Sequence, residues 1–254
     1  MAKQIPNLFT LANLFFGCIA IAFTLQNGID IVYTNEGEQF VKLTENLAWA
    51  SVFIGVAAII DFLDGFVARM MNASSEMGKQ LDSLADVVSF GAAPGMILYQ
   101  FLRMSCIKES NGLEANMAWL LPAFVFTCAG AYRLARFNID TSQGFGFKGA
   151  PIPAAGLTVA ALPLIYHYET SDFIYNLVLN KWFLYAVIAI LSWLMVSSLP
   201  LIALKFKDFS LKNNLAKYLL LGIGIIAAIL LKWLAVPVIF IAYIILSLAF
   251  KNQN

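Results

Sequence analysis

The sequence predicts an all-α, polytopic transmembrane helix bundle. Its 254 residues are 61% hydrophobic and 12% charged, and its mean hydropathy is +0.78. These values lie outside the range of soluble globular domains. Apolar runs long enough to cross a bilayer, about 20 residues each, also recur along the chain. The net charge of +1 gives no reason to expect a nucleic-acid partner.

About eight apolar runs follow one another, and each predicts one membrane span. The last two nearly meet at Lys232 and Trp233, which predicts a tight helical hairpin over about 215–250. The first has no clear cleavage site, so we expect it to be a retained helix. The sequence contains no low-complexity segment and no repeat, so we expect one integral membrane catalytic domain over 1–254. The runs are at about 7–25, 47–69, 83–103, 117–136, 151–168, 181–200, 215–231 and 233–250.

Lysine and arginine collect in alternate loops, which predicts the orientation. The positive-inside rule assigns the richer side to the cytoplasm. We therefore expect a multi-pass protein of the cell membrane, with the lipid bilayer as its surroundings and both termini in the cytoplasm. The richer side holds Lys3, Arg69, Lys79, Arg133, Arg136, Lys148, Lys205, Lys207, Lys212, Lys217 and Lys251; the other holds Lys42, Arg103, Lys108, Lys181 and Lys232.

Two acidic stripes flank the connection between the second and third spans. Members of the first share a helical face at i, i+3, i+4, i+7 and i+8: Asp61, Asp64, Gly65, Ala68 and Arg69. Members of the second stand at i, i+4 and i+8: Gly78, Asp82 and Asp86. Helices joined by a short connection pack as antiparallel neighbours, so four carboxylates are expected to converge at the cytoplasmic mouth of this pair.

Carboxylates packed together in a membrane need compensating charge. An aspartate at the bilayer centre costs roughly 2.5–3.5 kcal/mol, and less toward the interface. Arg69 can offset one charge, whereas two divalent cations would offset all four through the oxygen ligands that Mg²⁺ and Mn²⁺ prefer. Small residues at 65, 68 and 78 leave room for a bulky ligand. The alternative is that these aspartates are ordinary charges at helix ends. That does not explain why four of them stand in register on two facing stripes.

The spacing D-x2-D-G-x2-A-R-x8-G-x3-D-x3-D resembles the signature of the CDP-alcohol phosphatidyltransferases, and every fixed position is filled. The resemblance implies a membrane enzyme with six core helices that moves a phosphatidyl group from a CDP-lipid to an alcohol and releases CMP. It implies that Asp61, Asp64 and Asp82 bind one or two divalent ions. It makes Asp86 the general base, which also touches metal.

The resemblance also implies where the CDP-lipid binds. The residues that fit the nucleotide and pyrophosphate side are Asp64, Gly65, Ala68, Arg69 and Gly78. Three polar residues of the first span have two possible interpretations. On one, the nucleotide contacts Asn7, Thr10 and Asn13. On the other, these side chains form hydrogen bonds between helices.

Other segments resemble the bacterial and archaeal phosphatidylserine synthase branch of that family over about 5–210. They are "IPNLFTLANLFFG", "DVVSFGAAPG", "YRLARFN", "FKGAPIPAAG" and "LMVSSLP". Ala150 departs mildly from the family pattern, which more often has leucine there. The resemblance implies CDP-diacylglycerol and L-serine as substrates and a homodimer. The nearest alternative is the same chemistry with glycerol 3-phosphate, inositol phosphate or an aminoalcohol as the acceptor.

The "YRLARFN" segment supports an anionic ligand. Arg133 and Arg136 share a face at i and i+3, and guanidinium groups bind carboxylates or phosphates in a bidentate manner. Asn138 and Lys148 are candidates for the same serine or phosphate site. The alternative is that the arginines are positive-inside anchors. A cation transporter is the rival function, although transporters place acidic residues near the midplane in broken helices.

Overall fold

The computed structural model describes residues 5–26, 29–33, 39–43, 45–71, 75–109, 116–140, 147–202 and 210–250. Four lysines of the charge count, at positions 3, 205, 207 and 251, lie outside these residues. The described chain is almost entirely helical, as predicted. Its α-helices are α1 (Ile5–Leu25), α2 (Asn46–Met70), α3 (Glu76–Asp86), α4 (Ala93–Glu109), α5 (Ala123–Ile139), α6 (Ile152–Tyr168), α7 (Asp172–Val178), α8 (Lys181–Val196), α9 (Leu211–Leu231) and α10 (Ala235–Ala249).

Shorter elements join these helices. Strands β1 (Ile29–Tyr33) and β2 (Gln39–Leu43) form an antiparallel ribbon between α1 and α2. Strands β3 (Phe147–Lys148) and β4 (Pro200–Leu201) also pair in an antiparallel manner, beside α6 and α8. Neither pair of strands is predicted by the sequence pattern. A π-helical segment, Val87–Ala92, connects α3 to α4, and 3₁₀ turns occupy Met117–Trp119 and Lys232–Leu234.

Within the described residues, four helical stretches are long and apolar enough to cross a membrane, or five if the bent pair α7 and α8 is one span. This confirms a bundle of membrane-capable helices. The four are Pro6–Leu25, Asn46–Met70, Glu76–Ile107 and Asn214–Ala249. Large apolar side chains such as Phe62 and Ile229 are 69% and 74% exposed on the outer surface, which fits contact with lipid.

The last stretch bends sharply between α9 and α10. Lys232 has a φ of 49°, a left-handed conformation that ends α9. A Cβ on Gly224 would lie 3.7 Å from Cδ1 of Ile239, although a straight helix would separate these residues by about 22 Å. The chain therefore folds back on itself at the position where the sequence places the hairpin.

Helices α5, α6 and α8 are shorter than the predicted spans, with 17, 17 and 16 residues. Helix α5 begins at Ala123 and not at 117, because a 3₁₀ turn and Pro122 precede it; proline is favoured where a helix starts. Helix α6 occupies the centre of the bundle, and eleven of its residues are buried. The core thus surrounds α6, with the longer helices outside it.

The pitch of the third span changes directly after Asp86. In the π-helical segment Val87–Ala92, Ser89 donates a 3.0 Å hydrogen bond to the Asn13 carbonyl. Thr127 donates a 2.9 Å hydrogen bond to the Gly91 carbonyl. π-Helical turns are rare and occur frequently at functional sites. The widened turn fixes the Asp86 end of α3 between α1 and α5.

Arg136 joins the end of α5 to two other elements. Its guanidinium donates hydrogen bonds of 2.6 Å to the Val196 carbonyl, 2.8 Å to the Ser197 carbonyl and 3.2 Å to the Lys148 carbonyl. The first two are free carbonyls at the C-terminus of α8, and the third belongs to β3. Gly149 follows with a φ of 79°, which only glycine adopts readily. Arg136 therefore ties α5, α8 and β3 together.

The contact of α6 with the π-helical segment should depend on Gly156. A Cβ there would lie 2.7 Å from the carbonyl oxygen of Phe90, so Gly156→Ala must push the two backbones apart. We expect the free energy of unfolding to fall by about 1–3 kcal/mol, measured by denaturation in detergent. Gly55→Ala is the control, because an added Cβ there meets no heavy atom of the described residues within 4 Å. Equal stability of the two variants would contradict the tight contact.

Arg136→Lys should also destabilise the fold, because one ammonium group cannot replace a guanidinium fork that serves three carbonyls. We expect a loss of about 1.5–3 kcal/mol, the usual contribution of hydrogen bonds to a charged group. Thermal unfolding in detergent measures it. Arg103→Lys, near the opposite end of the bundle, is the matched control. An unchanged melting curve for Arg136→Lys would refute the joining role.

Candidate active site

Three carboxylates of the acidic stripes meet between α2 and α3. One oxygen from each of Asp61, Asp64 and Asp82 lies within 4.8 Å of the other two. Asp61 and Asp64 share a face because they stand one turn apart in α2, and Asp82 reaches them from α3. Asp64 is buried, whereas the other two are partly exposed. Three convergent carboxylate oxygens are the ligands that Mg²⁺ and Mn²⁺ prefer, so the cluster fits a divalent ion.

Asp61 and Asp82 interact directly within this cluster. Two ionised carboxylates this close repel each other strongly when water is scarce. A cation between them would remove the repulsion and keep both ionised. Arg69 attracts Asp64, and its Nη1 would lie 3.4 Å from a Cβ on Gly65. A larger residue at 65 would press against this guanidinium.

Asp86 lies one turn beyond Asp82 and outside the three-carboxylate cluster. Its side chain is only 6% exposed, and its charge is close enough to interact with Asp61 and Asp82. The Asn13 amide donates to its Oδ1 at 3.5 Å. A buried carboxylate that faces a candidate metal cluster is suited to accept a proton from a bound hydroxyl.

Helix α1 supplies polar groups to both carboxylate positions. The Thr10 hydroxyl donates a 2.8 Å hydrogen bond to Oδ2 of Asp64, and Asn13 donates to Asp86. The Asn13 side chain is fully buried, and its Oδ1 has no hydrogen-bond partner among the described residues. These hydrogen bonds join α1 to α2 and α3 at the site aspartates, and contact of α1 with the nucleotide stays a prediction.

Gly78 lies where α1 approaches the start of α3. A Cβ on it would lie 3.1 Å from Oδ1 of Asn7 and 3.1 Å from Oγ of Ser75. Ser75 caps α3, because its hydroxyl accepts a 3.0 Å hydrogen bond from the Gly78 amide. The glycine thus permits both the helix cap and the approach of Asn7. Ala68 is half-buried on the same face of α2 as Asp64.

The four residues proposed for serine or phosphate do not form one cluster. Arg133 is 6% exposed, lies 5.2 Å from the Phe137 ring centroid and attracts Asp86. Arg136 bonds to three carbonyls, as described above. Asn138 donates to the Ser83 hydroxyl at 2.8 Å and accepts from Lys79 at 3.1 Å. Lys148 forms a 3.1 Å salt bridge with Asp140. Within this set, Arg133 is the residue that interacts electrostatically with an aspartate of the site.

Two polar residues of α10, Tyr243 and Ser247, were not predicted to have partners. The Tyr243 side chain is 7% exposed, and its hydroxyl donates a 3.1 Å hydrogen bond to the Ile202 carbonyl. The available signal was the spacing of Tyr243 and Ser247, two polar side chains one turn apart in an otherwise apolar helix. Nothing in the sequence paired them with Ile202, about 40 residues earlier.

Comparison with known proteins gives a consistent result. The profile of the CDP-alcohol phosphatidyltransferase family matches residues 3–196. The chain is 35% identical over 199 residues to the CDP-diacylglycerol–serine O-phosphatidyltransferase of Helicobacter pylori, covering 76% of this chain and 70% of that protein. A protein of the same name from Bacillus subtilis is 32% identical over 165 residues, covering 65% and 78%. The chain therefore belongs to the CDP-alcohol phosphatidyltransferase family.

Proposed function

We propose that this chain is a phosphatidylserine synthase, which transfers the phosphatidyl group of CDP-diacylglycerol to the hydroxyl of L-serine and releases CMP. The observation that carries the proposal is the convergence of Asp61, Asp64 and Asp82 within 4.8 Å, with Asp86 and Arg133 beside them. The names of the relatives support serine as the acceptor. Among the described residues, no feature of the site favours glycerol 3-phosphate or inositol phosphate over serine.

We assign two divalent ions, Mg²⁺ or Mn²⁺, to Asp61, Asp64, Asp82 and Asp86. The compact carboxylate cluster supports this assignment. When bound, such ions would clamp the pyrophosphate and stabilise charge on the transferring phosphoryl group and the leaving CMP. Thr10 holds Asp64 by its 2.8 Å hydrogen bond, which keeps one ligand oriented.

Asp86 is the general base of the proposed reaction. The serine hydroxyl gives its proton to the Asp86 carboxylate and attacks the phosphorus bonded to diacylglycerol, and the bond from that phosphorus to CMP breaks. The hydrogen bond from Asn13 orients the carboxylate. The described site residues include no cysteine or histidine that could form a covalent intermediate, which supports direct displacement.

The two substrates occupy opposite sides of the aspartates. Arg133 receives the carboxylate of serine beside Asp86, since a guanidinium binds a carboxylate through a planar fork. The unpartnered Oδ1 of Asn13 can accept a hydrogen bond from the serine ammonium group. The CDP-lipid lies on the side of Arg69, with its nucleotide against the small residues of α2 and α3 and against α1. Arg136 does not bind substrate in this proposal but stabilises the fold by joining α5, α8 and β3. Asn138 joins α5 to α3.

The proposed topology is one domain with eight crossings of the cell membrane, and the site and both termini in the cytoplasm. The crossings are α1, α2, α3 with α4, α5, α6, α8, α9 and α10. The folding back of α10 on α9 and the distribution of lysine and arginine support this count and orientation. The acyl chains of the lipid remain in the bilayer, and two copies of the chain form a homodimer.

Asp86→Asn should abolish the reaction, because an amide cannot take the hydroxyl proton. We expect CMP release from CDP-diacylglycerol and L-serine to fall by about 10²–10⁴-fold, measured with purified protein in detergent. Glu76→Gln changes an exposed carboxylate at the start of the same helix and should leave the rate unchanged. Release only with glycerol 3-phosphate or inositol phosphate would discard serine as the acceptor. No release with any alcohol would favour the transporter.

Chelation of divalent ions should stop CMP release, and added Mg²⁺ or Mn²⁺ should restore it. Mn²⁺ titration of the purified protein should give two bound ions. Asp61→Asn and Asp82→Asn should each weaken that binding at least tenfold, because each removes one charged oxygen ligand. Asp172→Asn, at the exposed start of α7, is the control. Full activity in the presence of chelator, or unchanged Mn²⁺ binding by both site variants, would rule out the metal site.

A further inference from the structure

Helix α3 carries Asp82 to the carboxylate cluster, yet one of its faces lies on the outer surface. The large apolar side chains of Met77 and Leu84 are 69% and 64% exposed. The buried residues of α3 are Ala85 and Asp86, at its C-terminal end. Apolar packing therefore fixes that end more firmly than the preceding turn, where Asp82 lies. Other contacts have to hold this turn in place.

Two hydrogen bonds join this turn of α3 to the C-terminal end of α5. The Asn138 side-chain amide donates a 2.8 Å hydrogen bond to the Ser83 hydroxyl. The Lys79 ammonium group donates a 3.1 Å hydrogen bond to the Asn138 carbonyl, one of the last carbonyls of α5, which have no partner within their own helix. Lys79 and Ser83 stand one turn apart, so both bonds hold the same face of α3. We call these two bonds the Asn138 bridge.

The bridge restrains the residue next to a candidate metal ligand. Asp82 and Ser83 are consecutive, so their side chains leave α3 about 100° apart, one toward α2 and the other toward α5. Rotation of α3 by about 20° would move a side-chain end, roughly 5 Å from the helix axis, by about 2 Å. Distances between a metal and its ligands vary by only about 0.2 Å. A hydrogen bond that holds Ser83 against α5 therefore limits how far Asp82 can move from its partners in α2.

We propose that Asn138 is a positioning residue for the metal site: through Ser83 it fixes the rotation of α3 that brings Asp82 to the two aspartates of α2. Asn138 contacts neither metal nor substrate in this role. Ligands that are already oriented lose less freedom when an ion binds, so the bridge strengthens ion binding. This inference rests on the metal site of the proposed function and does not depend on which alcohol is the acceptor.

The test is a Mn²⁺ titration of the purified protein without substrate. We expect the dissociation constant to rise about tenfold in Ser83→Ala, as for the loss of one hydrogen bond. Ser83→Thr keeps a hydroxyl and should retain the affinity within about twofold. Asn138→Ala should weaken binding as much as Ser83→Ala does. The double variant should be no weaker than either single one, because both changes remove the same contact.

Ser51→Ala is the matched control. The Ser51 hydroxyl donates a 3.2 Å hydrogen bond to the Leu47 carbonyl, four residues earlier in its own helix. The Ser83 hydroxyl makes the same local bond, also of 3.2 Å, to the Lys79 carbonyl. Ser51 lies about 15 Å from Asp61 along α2. Ser51→Ala therefore removes the local bond without removing a bridge, and it should leave the affinity for Mn²⁺ unchanged.

Several outcomes would overturn the positioning role. Unchanged affinity in Ser83→Ala and Asn138→Ala would do so, even if the melting temperature fell, because the bridge would then be a structural contact only. Equal weakening in Ser83→Ala and Ser83→Thr would show that the hydroxyl is not responsible. If the unaltered protein bound no Mn²⁺, the metal site would fall and the positioning role with it. CMP release only with another alcohol would overturn serine as the acceptor, whereas the titration would still decide the role of Asn138.

Discussion

The repulsion between like charges in a poorly hydrated site is the constraint on which this structure depends. Three carboxylate oxygens converge within 4.8 Å, and a fourth carboxylate is buried beside them. Coulomb energies grow as the dielectric constant falls, so such a group is stable only where the fold supplies compensation. Thr10 and Asn13 supply hydrogen bonds from α1, and Arg69 and Arg133 supply positive charge. Helices α1 and α5 therefore bring most of these compensating side chains to the carboxylates.

Two arginines one turn apart in α5 illustrate how neighbouring residues of the same type take different roles. Arg136 lies at the end of α5, where free carbonyls of α8 and β3 surround it. Arg133 lies one turn deeper, where it is buried against the Phe137 ring and interacts electrostatically with Asp86. The depth of each side chain, and not its chemical type, determines whether it binds backbone carbonyls or interacts with a site carboxylate.

Helix geometry explains which parts of the site the sequence predicts. Asp61 and Asp64 must share a face because they are three residues apart, and a short connection brings Asp82 to them. The convergence of these three was therefore predictable from spacing alone. The bonds of Arg136, the π-helical segment and the hydrogen bond from Tyr243 to the Ile202 carbonyl depend on contacts between distant segments, which no local pattern encodes. The late start of α5 follows from a 3₁₀ turn and Pro122 that an apolar run conceals.

The π-helical segment after Asp86 also has a consequence for how sequences of this kind can change. A π-helical turn holds about one residue more than an α-helical turn for the same rotation, so the aspartates and α4 keep their relative phase although the span contains an extra residue. If the same residues were wound as an α-helix, one half of the span would rotate by about 100° relative to the other. Asp86 would then turn away from the cluster, or the core residues of α4 would turn toward lipid. Deletion of one residue within Val87–Ala92 would instead let the segment return to an α-helix with both halves in phase, so this segment should tolerate the loss of one residue better than an insertion.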